Sequence, residues 1–248
     1  MPVDLFHTRQ VPALFISLFL IIFIRYLLVA GCYHYLFYKL LRSRVAHRIL
    51  DDKQLPGQQL RREIYWSAIS ALIFTLVGIG LFWLWSNGYT RIYLAMEDYP
   101  LWYLVLSVPL VLFVQDTYYY WLHRWMHLPK VYRLVHKVHH DSIHTSVFTS
   151  FSFHPTETLL QTLILPLLLI FIPLYIYALL FILILMTLSA VINHAGVEVY
   201  PSGRWGRWLS RIIIGATHHD QHHRKFRANY GLYFTFWDRW MGTEAKDT

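Results

Sequence analysis

Four long apolar runs, separated by short polar breaks, divide the chain. Val11 to Ala30 is the first, with Arg25 inside it as a residue that must snorkel or face protein. Tyr65 to Trp85 is the second, closed by Ser86-Asn87-Gly88, and Leu101 to Trp121 is the third. Each matches the roughly 20 residues that a membrane-crossing helix needs. The fourth, Leu159 to Ile192, is too long for one crossing and is interrupted by Pro166 and Pro173. Two shorter helices meeting near Pro173 are predicted there. The pattern reads as an all-α integral membrane bundle of four to five spans or re-entrant helices.

Composition agrees. Of 248 residues, 56% are hydrophobic and 15% charged, against roughly 25% charged in a soluble domain. The single cysteine, Cys32, excludes disulfides and thiolate metal sites. No secretory signal is evident, since the first apolar run lacks a small-residue cleavage site after it. The formal charge of +8 points, on so apolar a chain, to basic loops beside membrane phosphates and not to nucleic acid. The loop from Lys39 to Arg62 carries Lys39, Arg42, Arg44, Arg48, Lys53, Arg61 and Arg62 and reads as cytoplasmic. The loop from Asn87 to Pro100 carries only Arg91, with Glu97 and Asp98, and reads as the opposite side. The third span therefore returns the chain to the cytoplasm. For the later segments to rejoin that face, residues 159–192 must go in and come back as a hairpin. The basic C-terminal segment (Arg204, Arg207, Arg211, Arg224, Lys225, Arg227) fits the same face. Residues 1–100 thus form N-terminal membrane helices with a basic loop. Residues 101–248 hold the hairpin and the candidate chemistry as a helical, histidine-rich cytoplasmic cap.

That chemistry is imidazole. The sequence contains His123-x-x-x-His127, His136-x-x-His139-His140, His219-x-x-His222-His223 and a lone His194. On a helix, i and i+4 differ by about 40° and i and i+3 by about 60°, so each cluster aims to one side. Imidazole suits zinc, copper, iron and nickel. Nine imidazoles exceed one ion's needs, and two metals fit better. His139 and His140 diverge by about 100° and can serve different metals, with His136 between them. Asp116, two turns before His123, can orient an imidazole through its other nitrogen. A hydrolytic H-E-x-x-H helix is absent, and the Glu-x-x-His pattern of soluble di-iron bundles is missing. An all-imidazole iron pair with oxygen as co-substrate is the remaining reading. His7, His34 and His47 are isolated and take no role. His144, His154 and His218 are read as packing or supporting residues, and Tyr118-Tyr119-Tyr120-Trp121 as an interfacial aromatic belt. No G-x-G-x-x-G fingerprint follows a strand, so electrons must come from an external carrier. Arg204, Arg207, Arg211, Arg224, Lys225 and Arg227 either dock that carrier or face lipid phosphates.

The order Asp116…Tyr120-Trp121-x-His123-Arg124-x-x-His127, His136-Lys137-x-His139-His140, Phe153-His154-Pro155-x-Glu157, Asn193-His194-Ala195-Gly196 and His218-His219-Asp220-x-His222-His223 resembles the sterol desaturase/fatty acid hydroxylase superfamily. The tail Asn229-Tyr230-Gly231-x-Tyr233-Phe234-Thr235-x-Trp237-Asp238-Arg239 looks like its sterol C-5 desaturase branch. The likeness runs from about Asp116 to Thr243. It implies a membrane-bound, non-haem di-iron enzyme that uses oxygen and two electrons to hydroxylate or desaturate a lipid. By the same carry-over His123, His127, His136, His139, His140, His194, His219, His222 and His223 are its iron ligands. The chain departs from the pattern twice. Glu198 stands where fatty acid hydroxylases carry a second histidine four residues from the first, so the site has either one ligand fewer or a carboxylate substitute there. Glu157 stands where C-5 desaturases usually carry aspartate. A metal transporter and a non-catalytic lipid-binding relative are the readings from other classes. The absence of an N-x-S/T sequon, with one cysteine, points to a bacterial inner membrane over the endoplasmic reticulum. Substrate identity and oligomeric state stay open.

Overall fold

A computed structural model describes residues 10–50 and 55–245; His7 and Lys53 lie outside the described residues. The described chain is all-α apart from two two-residue strands. In order the helices are α1 (Val11–Tyr35), α2 (Arg42–Val45), α3 (Gly57–Ser86), α4 (Leu101–Met126), α5 (Pro129–Val131), α6 (Lys137–His140), α7 (Pro155–Phe171), α8 (Ile176–Asn193), α9 (Arg204–Ser210), α10 (Ala216–Lys225) and α11 (Phe236–Trp240). A π-turn carries the first helix on to Leu40. Four helices are long and apolar enough to cross a membrane: Val11–Leu40, Gly57–Ser86, Leu101–Met126 and Ile176–Asn193. The first three outrun the apolar runs that predicted them, because polar residues at their ends stay helical beyond the hydrocarbon. α7 is a shorter apolar helix.

The predicted hairpin is α7 and α8, and its break falls at Ile172–Tyr175. Pro173 has no N–H to continue a helix, and Ile172 before it is extended (φ −102°, ψ 115°). Pro166 stays inside α7, where packed neighbours tolerate an intramembrane proline. The tip rests on the loop before α4. Strand β1 (Ile92–Tyr93) runs parallel to β2 (Leu174–Tyr175), pairing Ile92 with Leu174 and Tyr93 with Tyr175. The Arg91 N–H donates to Leu169 O at 2.8 Å, and the Tyr103 hydroxyl donates to Pro173 O at 3.0 Å. At the other end of the hairpin, the Leu50 N–H donates to Gly196 O at 2.9 Å and the Glu198 N–H to Arg48 O at 3.0 Å. The hairpin thus traverses the bundle and returns to the end that holds the basic loop.

Lipid supplies no hydrophobic drive for helix association, so close packing must do the work. α3 accordingly turns Ser67, Ser70, Ala71 and Thr75, all buried, toward its neighbours. A Cβ on Gly78 would meet Leu18 Cδ2 at 2.9 Å. Tyr26, Ala30 and Ala71 share one core with Val147, Phe151, Val191 and Ala195. A second core joins Val111, Leu165, Leu169, Leu174 and Ile182 of α4, α7, β2 and α8 to Tyr233 of the C-terminal tail. Arg25 is half-buried on α1 and its Nε has no partner among the described residues.

Candidate metal centre

All nine clustered histidines meet at one end of the bundle. They sort into two groups, His123, His127, His136, His140 and His222 in the first and His139, His194, His219 and His223 in the second. Within each group the candidate ligand atoms lie within 4.8 Å of one another. Helical geometry explains the sorting. The three i,i+4 pairs, 123/127, 136/140 and 219/223, each stay together, as a divergence of about 40° allows. The i+3 residue of each triplet, His139 or His222, turns aside and joins the group anchored by the other helix. The two groups are therefore interlocked by exchange between α6 and α10. His136 belongs wholly to the first and does not lie between the two.

The Nε2 atoms point inward. His123 meets His136 at 3.1 Å, His222 meets both His127 and His140 at 3.1 Å, His194 meets His219 at 2.9 Å and His139 at 3.2 Å, and His219 meets His223 at 3.2 Å. Several Nδ1 atoms point outward to acceptors. His123 Nδ1 donates to Tyr230 O (2.8 Å), His139 Nδ1 to Ser152 O (3.3 Å), His194 Nδ1 to Ala190 O (2.8 Å) and His222 Nδ1 to Ala228 O (2.7 Å). These carbonyls set the tautomer. In the 139/194 pair both protons sit on Nδ1, so the two Nε2 atoms face each other with lone pairs and no hydrogen between them. Facing lone pairs in a buried site repel unless a cation lies between. Nitrogens 2.9–3.2 Å apart can also share one ion at bonds of about 2.1 Å. The donor set fits a pair of transition metals.

Electrostatics point the same way. Burial first, then neighbouring imidazoles, holds His127, His136, His139, His140, His219 and His223 below the ordinary histidine range. Burial lowers His194 and His222 to about 4, against the opposing pull of their carbonyl partners. Neutral imidazole is the ligating form.

Carboxylates sit elsewhere than the spacing suggested. Asp116 touches no imidazole. Its Oδ1 accepts the backbone N–H groups of Leu232, Tyr233 and Phe234 at 3.2, 2.7 and 3.3 Å. Non-helical backbone beside a membrane span needs such a partner, and the tail supplies one the helix-stripe argument could not foresee. Glu198 does not join His194. Its Oε2 accepts the Thr217 N–H at 3.0 Å and its Oε1 that of Tyr200 at 3.1 Å, so it caps the N-terminus of α10. A carboxylate that does meet one of the nine clustered imidazoles is Glu157, whose Oε1 lies 2.7 Å from His136 Nδ1 and accepts from Gln161 Nε2 at 2.9 Å. Only its motif position signalled it. His144, His154 and His218 lie outside both groups. His154 Nδ1 accepts the Thr156 N–H at the start of α7, and His218 Nε2 donates to Asp238 at 3.3 Å.

The tail forms a backplate. Buried Asp238 accepts the N–H groups of Tyr230 (2.8 Å) and Gly231 (2.9 Å) and the Thr243 hydroxyl (2.8 Å), which aims the Tyr230 carbonyl at His123. Phe226, at φ 62°, closes α10 and lays its ring 4.8 Å from that of His140. Sequence reasoning also missed Glu63. This buried carboxylate on α3 accepts from Gln59 (2.8 Å), Ser142 (2.7 Å), Ser146 (2.7 Å) and Thr149 (2.9 Å).

Comparison with known proteins gives the same picture. The chain is 32% identical to mouse lathosterol oxidase over 237 residues, 95% of this chain and 75% of that protein. It is 31% identical to human lathosterol oxidase over 199 residues, 79% of this chain and 65% of that one. It is 27% identical to a Delta(7)-sterol 5(6)-desaturase of Gibberella zeae over 243 residues, 98% of this chain and 71% of that protein. These relatives are mammalian and fungal, which does not favour the bacterial membrane expected above. No solved structure matches. The family model described as Fatty acid hydroxylase matches residues 108–243, a stretch that holds every one of the nine histidines. The chain belongs to the fatty acid hydroxylase family.

Proposed function

We propose that this protein is a membrane-bound, di-iron, oxygen-dependent oxidoreductase that desaturates or hydroxylates a sterol-type lipid. The observation that carries the reading is the five-plus-four sorting of inward Nε2 atoms. His123, His127, His136, His140 and His222 would hold one iron; His139, His194, His219 and His223 would hold the other. When bound, the iron pair supplies oxygen activation with two external electrons and removal of hydrogen from an unactivated C–H bond.

The chain's own residues do the rest. Backbone carbonyls of Tyr230, Ser152, Ala190 and Ala228 keep four Nδ1 protons outward and so leave Nε2 free to bind. Glu157 does the same for His136 with a carboxylate, which raises that ligand's basicity. Burial of eight of the nine rings excludes bulk water from the centre. Its place at the bundle end suits a lipid whose polar group stays at the interface. The histidines share that end and do not line a route across the bundle, which supports catalysis over metal transport. The basic loop lies at the same end, so positive-inside bias argues for a cytoplasmic centre. Electrons come from an external carrier.

The names of the relatives point to a Δ7 sterol. Purified enzyme with a reductant, oxygen and lathosterol should yield a product lighter by two hydrogens, while a product heavier by one oxygen would make it a hydroxylase. Iron analysis should find two ions per chain. An enzyme that carries no iron as isolated and turns over unchanged with chelator present would overturn the reading.

A further inference from the structure

Between His194 and the third histidine cluster the chain runs through α9, and this segment is exposed almost throughout. From Pro201 to Ile213 only Gly206 is buried and only Leu209 half-buried. Yet the segment carries Trp205 (73% exposed), Trp208 (53%), Ile212 and Ile213. Trp205 is as bare as Phe171 (73%) and Leu101 (68%), which belong to the membrane helices. A surface facing water would not leave two tryptophans and two isoleucines so open.

The pattern on α9 is amphipathic. At 100° per residue Trp205, Trp208 and Leu209 fall within an arc of about 100°, and Ile212 follows in the turn after the helix. Arg204 and Arg207 lie about 60° apart beside it, with Arg211 at the C-cap, and none of the three has a side-chain partner among the described residues. Arg207, Ser210 and Arg211 also border an open crevice of about 1380 Å³ outside α10. An apolar arc bordered by arginines is the signature of a helix lying in the headgroup layer.

The surface is continuous with the membrane spans. Ile213 bridges to Phe234, whose N–H is held by Asp116 of α4. Phe236 stacks on Phe113 of α4 at 5.5 Å and packs against Trp240 at 4.9 Å, and Trp240 is 63% exposed. The bare indoles of α9 and α11 therefore flank a level already occupied by a spanning helix.

We propose that α9, with Ile212, Ile213 and Trp240, is an interfacial anchor that docks the histidine cap onto the bilayer and binds anionic headgroups through Arg204, Arg207 and Arg211. The occupant is a lipid surface, argued from charge complementarity and from continuity with α4. Because Gly215, the N-cap of α10, follows two residues after Ile213, seating of the anchor also sets where the third cluster stands.

The test uses the full chain with Cys32→Ala, in nanodiscs, with a polarity-sensitive fluorophore at Trp208→Cys or, on the polar arc, at Ser210→Cys. The label at 208 should be blue-shifted and quenched by brominated acyl chains, and the label at 210 should not be. Adding phosphatidylglycerol to phosphatidylcholine should strengthen quenching at 208, and salt should reverse the increment. Each arginine near an anionic surface contributes roughly fivefold, so Arg204→Gln/Arg207→Gln/Arg211→Gln should abolish that increment. Equal quenching at 208 and 210, or none at 208 in either lipid, would overturn the anchor. So would a label at 208 that ignores lipid but is shielded by an added acidic electron carrier. An increment that persists in the triple variant would overturn the headgroup assignment. All these readouts report contact, so they stand apart from turnover and from the proposed oxidation.

Discussion

A side chain's role here follows from what its second polar atom touches. Eight of the nine histidines were legible in the sequence because helical spacing aims i, i+3 and i+4 toward one side, while His194 stands without a helical partner. The exchange of His139 and His222 was legible only as a divergence, since its destination depends on two helices meeting. It yields an ordered prediction. His139→Ala leaves three histidines in the second group, whereas His222→Ala leaves four in the first. Iron per chain should fall from two toward one in His139→Ala and less in His222→Ala, as read by elemental analysis of purified protein, and neither variant should turn over. Glu157→Gln keeps volume but removes the carboxylate behind His136. Metal affinity should drop about 10–100-fold in chelator competition, with helix content unchanged. Acid should act through the same rings. His194 and His222 have folded values of about 4 against an ordinary 6.5. The unfolded chain takes up these protons below 6.5 and the folded chain only near 4, so stability of metal-free protein falls as pH drops across that window. Melting temperatures in detergent, constant above the window and declining through it, would bear this out. Asp116, read from spacing, and Glu198, raised by the resemblance, turn instead to backbone N–H groups, of Tyr233 117 residues away and of Thr217 and Tyr200.

Elements show the same division. The hairpin was readable because 34 apolar residues cannot be one span and proline cannot continue a helix. The connecting loop and tail were not, since side-chain bonds across large sequence separations hold them and leave no periodic trace. Glu63 is the clearest case. It gathers Gln59 from its own helix with Ser142, Ser146 and Thr149 from the loop that links the second cluster to α7. Glu63→Leu would strand these donors in a buried place, at about 1–3 kcal/mol for each unsatisfied group. Glu63→Gln keeps one acceptor and lets the hydroxyls reorient. Thermal unfolding in detergent should show a large loss for leucine and a smaller one for glutamine. Iron should be lost from both groups, since α6 supplies His140 to one and His139 to the other.

At the scale of the whole molecule, charge and architecture make one statement about sidedness. The loop after α1 pairs its backbone with residues 196–198 beside His194, while the hairpin tip pairs with residues 91–93 at the far end. Basic residues and metal centre therefore share a face, and acidic Glu97 and Asp98 occupy the other. On the reading proposed above, positive-inside bias would put the first face in the cytoplasm. On a Cys32→Ala background, Ser202→Cys should react with an impermeant maleimide only after the membrane is opened, and Asn87→Cys should react in intact cells. Tyr177→Cys, just past the tip, should follow Asn87 if the hairpin traverses the bilayer. Reaction of Ser202→Cys from outside, with Asn87→Cys protected, would invert the molecule and put the oxidation on the opposite side. Protection of Tyr177→Cys alone would keep the orientation and bury the tip within the membrane, making the hairpin re-entrant.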